Sequence, residues 1–296
     1  MALEKHDPVT GRVTTGHEWN GIEELETPIP RVVFYFLFAA ALFALGYWIL
    51  MPAWPLGVTY TKGLLGFDQR QVVRQQVKTA AAARADWADQ IMALDYEEIS
   101  ADPALMQIVN ETGHTLFGDN CAVCHGVQAM GGPGFPNLRA DAWLWGGNPE
   151  EIHETIRVGI NSNHEETRVS QMMAFGRDAV LERGEVLAVA SYVRSLSQPP
   201  APTDAARIEQ GRELFADNCS SCHGEDASGV PELGAPNLAD DIWLYGGDAQ
   251  SVFTTIYSGR QGHMPHWDQR LKPLDLKLLT LYVSNLETKP GGALLP

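Results

Sequence analysis

Hydrophobic residues are spread unevenly along this chain. From Val32 to Met51 they form an unbroken run, VVFYFLFAAALFALGYWILM, with no charge in 20 residues. A helix of that length covers about 30 Å, the thickness of a bilayer core. Tyr47, Trp48 and Trp54 gather at its far end, where amphipathic rings favour the membrane interface. Pro28 and Pro30 precede the run, and Pro52 and Pro55 follow it. Residues 1–31 are a polar tail, unlike the short basic stretch that opens a secretory signal. Residues 68–98 are rich in Ala, Gln and Arg with few breakers, which predicts a helical connector within 52–103. Val72, Val73 and Val77 offer it a narrow apolar stripe.

Two similar blocks follow. Gly113-x-x-Leu116-Phe117-x-Asp119-Asn120-Cys121 returns as Gly211-x-x-Leu214-Phe215-x-Asp217-Asn218-Cys219, offset by 98. Pro136-Asn137-Leu138 and Asp141-x-Trp143-Leu144 return as Pro236-Asn237-Leu238 and Asp241-x-Trp243-Leu244, offset by 100. Tyr192-Val193 returns as Tyr282-Val283, offset by 90. A duplicated domain is therefore expected, at 104–197 and 205–296, joined by a proline-rich linker at 198–204. The first copy carries an extra loop at Asn161 to Val169.

Charge narrows the function classes. The net charge is −16, so nucleic acid is not an expected partner, because phosphate binding needs a basic face. An acidic surface suits a basic soluble partner, and it also simply keeps a protein in solution. Four cysteines in 296 residues are too few for a disulfide framework.

Those cysteines carry the chemistry. Cys121-Ala-Val-Cys124-His125 and Cys219-Ser-Ser-Cys222-His223 both match the c-type haem attachment pattern. Two thiols one helical turn apart can add to the two vinyl groups of one haem, and the adjacent histidine then lies under the iron. A thioredoxin-like site would need a βαβ context, and a zinc site would need the two pairs brought together. Electron-transfer cytochromes usually close the sixth iron position with methionine, which raises the potential. Met264 is the candidate in the second copy, 41 residues after His223. Met172 is the candidate in the first, 47 residues after His125, with Met173 as its alternative. Each copy is thus expected to supply the methionine for its own haem. Bis-histidine ligation through His263, His266 or His164 stays open.

Each block resembles class I cytochrome c. That resemblance implies a mainly α fold: one transmembrane helix followed by two tandem class I cytochrome c domains. It implies that Gly113 and Phe117 meet Tyr192, and that Gly211 and Phe215 meet Tyr282, where two helices cross. Pro136 and Pro236 resemble the family proline whose carbonyl accepts the second N–H of the proximal histidine. More specifically, Trp19-x-Gly21-Ile22-x-Glu24, Pro28-x-Pro30, Gly46-Tyr47-Trp48 and Pro52-Ala53-Trp54-Pro55, together with the two haem blocks, resemble the diheme subunit (CcoP, also FixP) of cbb3-type cytochrome c oxidase. Met173, where that family often has proline, departs from its pattern. The resemblance implies two covalently bound haems c in an electron-transfer subunit of a respiratory terminal oxidase. A soluble or membrane cytochrome c would be the donor. A monohaem cytochrome c subunit and a membrane-embedded catalytic subunit, which reduces oxygen, would be the onward partners. It also implies a single pass through the lipid bilayer of a bacterial inner membrane, with the tail in the cytoplasm and the haem domains in the periplasm. Lys and Arg flanking the span do not by themselves favour that orientation. An electron relay for a dehydrogenase or a nitrogen-oxide reductase is the alternative, and a diheme peroxidase would require an iron with an open sixth position.

Overall fold

The computed structural model describes residues 5–198 and 204–286. Most of the linker, 199–203, and the tail after 286 lie outside the described residues. The chain divides into two compact units, Met1–Ala83 and Arg84–Pro296.

The first unit begins with a β-hairpin, strands β1 (Thr14–Trp19) and β2 (Ile22–Leu25). Trp19 pairs with Ile22 across a two-residue turn. Asn20 and Gly21 form that turn with φ of 53° and 85°, the left-handed pair that matches the twist of a hairpin. Helix α1 (Arg31–Leu50) follows the predicted span to within one residue at each end. None of its side chains is buried, and its mean hydropathy of 2.2 makes it the one described helix long and apolar enough to cross a membrane. The following loop folds back on its end. The amides of Leu64 and Leu65 donate to the carbonyls of Ile49 and Leu50, at 3.0 and 3.1 Å, and satisfy two C-terminal acceptors. Trp48 and Trp54 pack with ring centroids 4.9 Å apart.

Helix α2 (Gln69–Ala93) realises the predicted connector, and residues 69–86 are exposed all round. In the second unit, Ile91 at its end packs with Ile99 of α3 (Tyr96–Ala101), with Leu105 and Val109 of α4 (Pro103–Asn120), and with Leu278 and Leu281 of α11 (Pro273–Ser284). Asp95 and Glu98 form a capping box that starts α3, and Asp102 caps α4 ahead of Pro103.

The remaining helices show the repeat: α5 (Ala122–His125), α6 (Pro149–Val158) and α7 (Arg183–Ser197) in the first copy; α8 (Ala205–Asn218), α9 (Ser220–His223), α10 (Ala249–Ser258) and α11 in the second. Their packing differs from the expectation of two self-contained domains at 104–197 and 205–296. One core joins Phe117, Ala129, Ile152 and Ile156 of the first copy to Leu276, Leu279 and Val283 of the second. The other joins Phe215, Cys219, Ala227, Val252, Phe253 and Ile256 of the second copy to Phe175, Val186, Val189 and Val193 of the first. The copies have exchanged their C-terminal halves.

The expected aromatic pairs are exchanged with them. Phe117 meets Tyr282, at 5.7 Å between centroids, rather than Tyr192; Phe215 meets Tyr192, at 5.3 Å, rather than Tyr282. A methyl group on Gly113 would collide with Tyr282, and one on Gly211 with Ala188 and Tyr192. The short linker favours this outcome, because helices joined by a few residues pack side by side, as α7 and α8 do. Nothing is lost in burial: Phe117 and Leu279 are almost fully enclosed, and each such side chain contributes about 1.5–3 kcal/mol.

Candidate haem-binding sites

Both attachment motifs are single helical turns. Cys124 and His125 donate their backbone N–H groups to the Cys121 carbonyl at 3.1 and 3.0 Å, and Cys222 and His223 donate to that of Cys219 at 3.1 and 2.9 Å. The two cysteines of each pair therefore stand at the two ends of one turn, with Cys124 and Cys222 exposed and Cys121 and Cys219 set against the cores. Burial pushes the Cys121 and Cys219 thiols up to about 11, away from the reactive thiolate that a redox dithiol needs.

The two histidines are held alike. His125 Nδ1 lies 3.1 Å from the Pro136 carbonyl, and His223 Nδ1 lies 3.0 Å from that of Pro236. A carbonyl can only accept, so Nδ1 donates and Nε2 keeps its lone pair. Burial pulls both imidazoles below the usual histidine range, against the opposing effect of that hydrogen bond. Neutral imidazole is the metal-ligating form.

The methionines stand on the exchanged segments. Met264 packs against the core that holds Cys121 and Phe117, and Met172 against the core that holds Cys219 and Phe215. Backbone ladders fix both. Ile160 and Met264 exchange hydrogen bonds of 2.9 and 2.9 Å; Arg260 and Met172 exchange bonds of 3.1 and 2.8 Å. Gly159 and Gly259 make the approach possible. Each has a φ near +70°, and a methyl group on either would strike the backbone of the facing methionine. Each methionine thus belongs, by packing, with the attachment motif of the other copy, not with its own as the spacing suggests. Met173 is 54% exposed, whereas Met172 is partly buried.

Of the candidate histidines for bis-histidine ligation, His164 and His263 are hydrogen-bonded elsewhere, and His266 is buried with its Nδ1 unpartnered among the described residues. His164 Nε2 lies 3.2 Å from Asp268 Oδ2, and its ring packs 5.6 Å from that of His266. His263 is exposed, with Nδ1 3.0 Å from the Asn161 carbonyl. The two cysteine pairs lie in different cores, and among the described residues no three His, Cys, Asp or Glu side chains gather as a metal-ion site.

Two features escaped the sequence reading. Asn161, in the predicted extra loop, donates from Nδ2 to the carbonyls of Ser170 and Gly262 at 2.8 and 2.7 Å, so one side chain ties down both methionine segments. Trp243, next to the core of Cys219, has a buried indole N–H with no partner among the described residues. Its place in the Asp-x-Trp-Leu repeat was the only signal. A buried donor without an acceptor is costly, and the carboxylates of a haem are suitable acceptors. Paired thiols, an imidazole with a free Nε2 and a thioether beside each core, with an orphaned donor beside that of Cys219, fit a covalently attached haem.

Comparison with known proteins agrees along the whole chain. The N-terminal domain of cytochrome oxidase-cbb3, FixP, matches residues 11–58; cytochrome c matches 110–197; and cytochrome c oxidase, cbb3-type, subunit III matches 206–283. The cbb3-type cytochrome c oxidase subunit FixP of Bradyrhizobium sp. (strain ORS 278) is 45% identical over 95% of this chain and 96% of its own length. Subunit CcoP of Azospirillum brasilense is 42% identical over 97% and 99%. Subunit CcoP of Cereibacter sphaeroides is 43% identical over 92% and 94%. The chain carries two covalently bound haems c and belongs to the FixP/CcoP family, the electron-transfer subunits of cbb3-type cytochrome c oxidase.

Proposed function

We propose that this chain relays electrons from a donor cytochrome c toward the oxygen-reducing catalytic subunit of its oxidase, by way of a monohaem cytochrome c subunit. We further propose that each iron is held by a histidine from one copy and a methionine from the other: His125 with Met264, and His223 with Met172. The observation that carries this reading is the packing of each methionine against the opposite copy's attachment motif.

The residues have separable roles. Cys121 and Cys124, and Cys219 and Cys222, hold the haems covalently. Pro136 and Pro236 accept the histidine Nδ1–H, which fixes the ring and makes Nε2 a stronger donor to iron. Met172 is the ligand in preference to Met173, whose side chain faces solvent. When bound, each haem supplies a one-electron iron couple, and a thioether ligand sets its potential high. Trp243 offers its N–H to a haem carboxylate. Helix α1 anchors the chain, with its N-terminal tail in the cytoplasm and residues 84–296 in the periplasm. Haem attachment outside the cytoplasm supports that orientation.

The test uses chains that keep one haem. With Cys121 and Cys124 both changed to Ala, only the Cys219/Cys222 haem remains. Adding Met172→Ala should then abolish the far-red sulfur-to-iron absorption band, and adding Met264→Ala should leave it. The opposite result would restore ligation within each copy. For the relay role, the purified complex should contain haem b beside haem c and consume oxygen with reduced cytochrome c. Haem c without haem b would point to a free-standing relay.

A further inference from the structure

Positive charge in this acidic chain is concentrated just beyond the membrane span. Residues 51–85 hold Lys62, Arg70, Arg74, Lys78 and Arg84 but a single acid, Asp68, whereas the whole chain carries −16. Asp68 is already occupied. Its Oδ1 accepts from the backbone N–H of Arg70 and Gln71, at 3.0 and 3.3 Å, and from the Tyr60 hydroxyl at 3.3 Å. Arg70, Arg74 and Lys78 recur every fourth residue, so they share one side of α2 with Val73 and Val77 between them. Like charges at that spacing destabilise a helix unless something negative faces them. All five side chains are exposed, and the three cations enter no ion pair among the described residues.

The position of this stripe narrows what can face it. Gln69, the first residue of α2, lines a small cavity with Tyr47, Met51 and Pro52 at the end of α1, and with Tyr60 and Phe67 of the folded-back loop. Helix α2 therefore starts where the span ends. From Arg70 to Lys78 the helix advances about 12 Å, comparable with the Debye length of about 8 Å. Where the helix lies along a charged membrane surface, the whole stripe stands within that length of it. The adjoining loop presents Trp54, Leu56, Leu64 and Leu65 to solvent. Exposed apolar side chains beside basic ones, at the end of a span, suit the headgroup region of a bilayer.

We propose that Lys62, Arg70, Arg74 and Lys78, with Val73 and Val77 between the last three, bind anionic phospholipid headgroups at the membrane surface where α2 begins. The proposal needs α1 to cross the bilayer but is independent of the haem ligands. It also supplies a reason for basic residues on the side of the span that holds the haem lobes, against the usual bias toward the cytoplasm.

The test places a nitroxide at Val77→Cys in the full-length, haem-loaded chain, where the four native cysteines are blocked by thioether bonds. The chain is set in nanodiscs of phosphatidylcholine alone, or of phosphatidylcholine mixed with phosphatidylglycerol. Power-saturation spectroscopy compares collisions with oxygen and with a water-soluble nickel chelate. The mixed discs should move the label from water into the lipid interface, and high salt should reverse the shift. Each basic residue near an anionic surface changes such an equilibrium by about fivefold. Changing Arg70, Arg74 and Lys78 together to Gln should therefore weaken it by roughly a hundredfold. The haem spectrum reports independently whether the lobes stay intact, and Val73→Cys is a second label position. Equal accessibility in both lipids would overturn the proposal. So would immobilisation that appears only in the assembled oxidase, whatever the lipid, since α2 would then be covered by another subunit.

Discussion

The exchange of halves can be measured through its aromatic pairs. Phe117 is 1% exposed and its ring lies 5.7 Å from that of Tyr282 at an interplanar angle of 50°, a tilted contact between residues from different copies. Replacing either ring by Leu keeps most of the volume and should cost about 1–2 kcal/mol. The ring pair itself is worth about 0.5–1.5 kcal/mol beyond burial. A double-mutant cycle of Phe117→Leu and Tyr282→Leu should therefore fall short of additivity by that amount. The cycle of Phe117→Leu with Tyr192→Leu should be additive to within about 0.5 kcal/mol, because those residues lie in different cores. The assay is denaturant unfolding of the full chain in detergent, followed by Soret absorbance. Coupling between Phe117 and Tyr192, with none between Phe117 and Tyr282, would refute the exchange.

Two further perturbations follow from the same geometry. Asn161→Ala removes hydrogen bonds to both methionine segments. It should destabilise the haem unit by about 1–3 kcal/mol and shift both haem potentials together; a shift in one haem alone, seen in a redox titration, would show that the residue serves a single lobe. His153 links α3, α6 and α11 through Tyr96 at 2.9 Å and Thr280 at 3.3 Å, and burial holds its pKa below the usual 6.5. As pH falls below about 6.5 the unfolded chain takes up that proton before the folded one, so stability is full above this value and declines beneath it. His153→Gln should flatten the decline in unfolding midpoint between about pH 5 and 7; an unchanged slope would assign the sensitivity to other groups.

Local features of this chain were legible in its sequence because each has a local cause. An uncharged run makes a span wherever it occurs, and a Cys-x-x-Cys-His turn forms from its own five residues. The hairpin was equally written in Asn20-Gly21 between Trp19 and Ile22, but it sits in a stretch that reads as a polar tail. The partner of each C-terminal helix was not legible. Gly113 and Phe117 repeat as Gly211 and Phe215, and Tyr192 repeats as Tyr282. When both copies present the same interface residues, either pairing buries the same groups. Only chain geometry decides between them, through the short connection that lays α7 beside α8. Counting residues from histidine to methionine within a copy carries no information about that choice.

The exchange also sets an order on the birth of the molecule. Val283 follows Phe117 by 166 residues, so the core beside Cys121 cannot close until the chain has been synthesised as far as α11. The pocket around Cys219 and Cys222 meets the opposite situation: its closing half, Phe175 to Val193, has already emerged when its own motif arrives. The earlier motif is left open longest, with both thiols reachable by whatever enzyme attaches the haem.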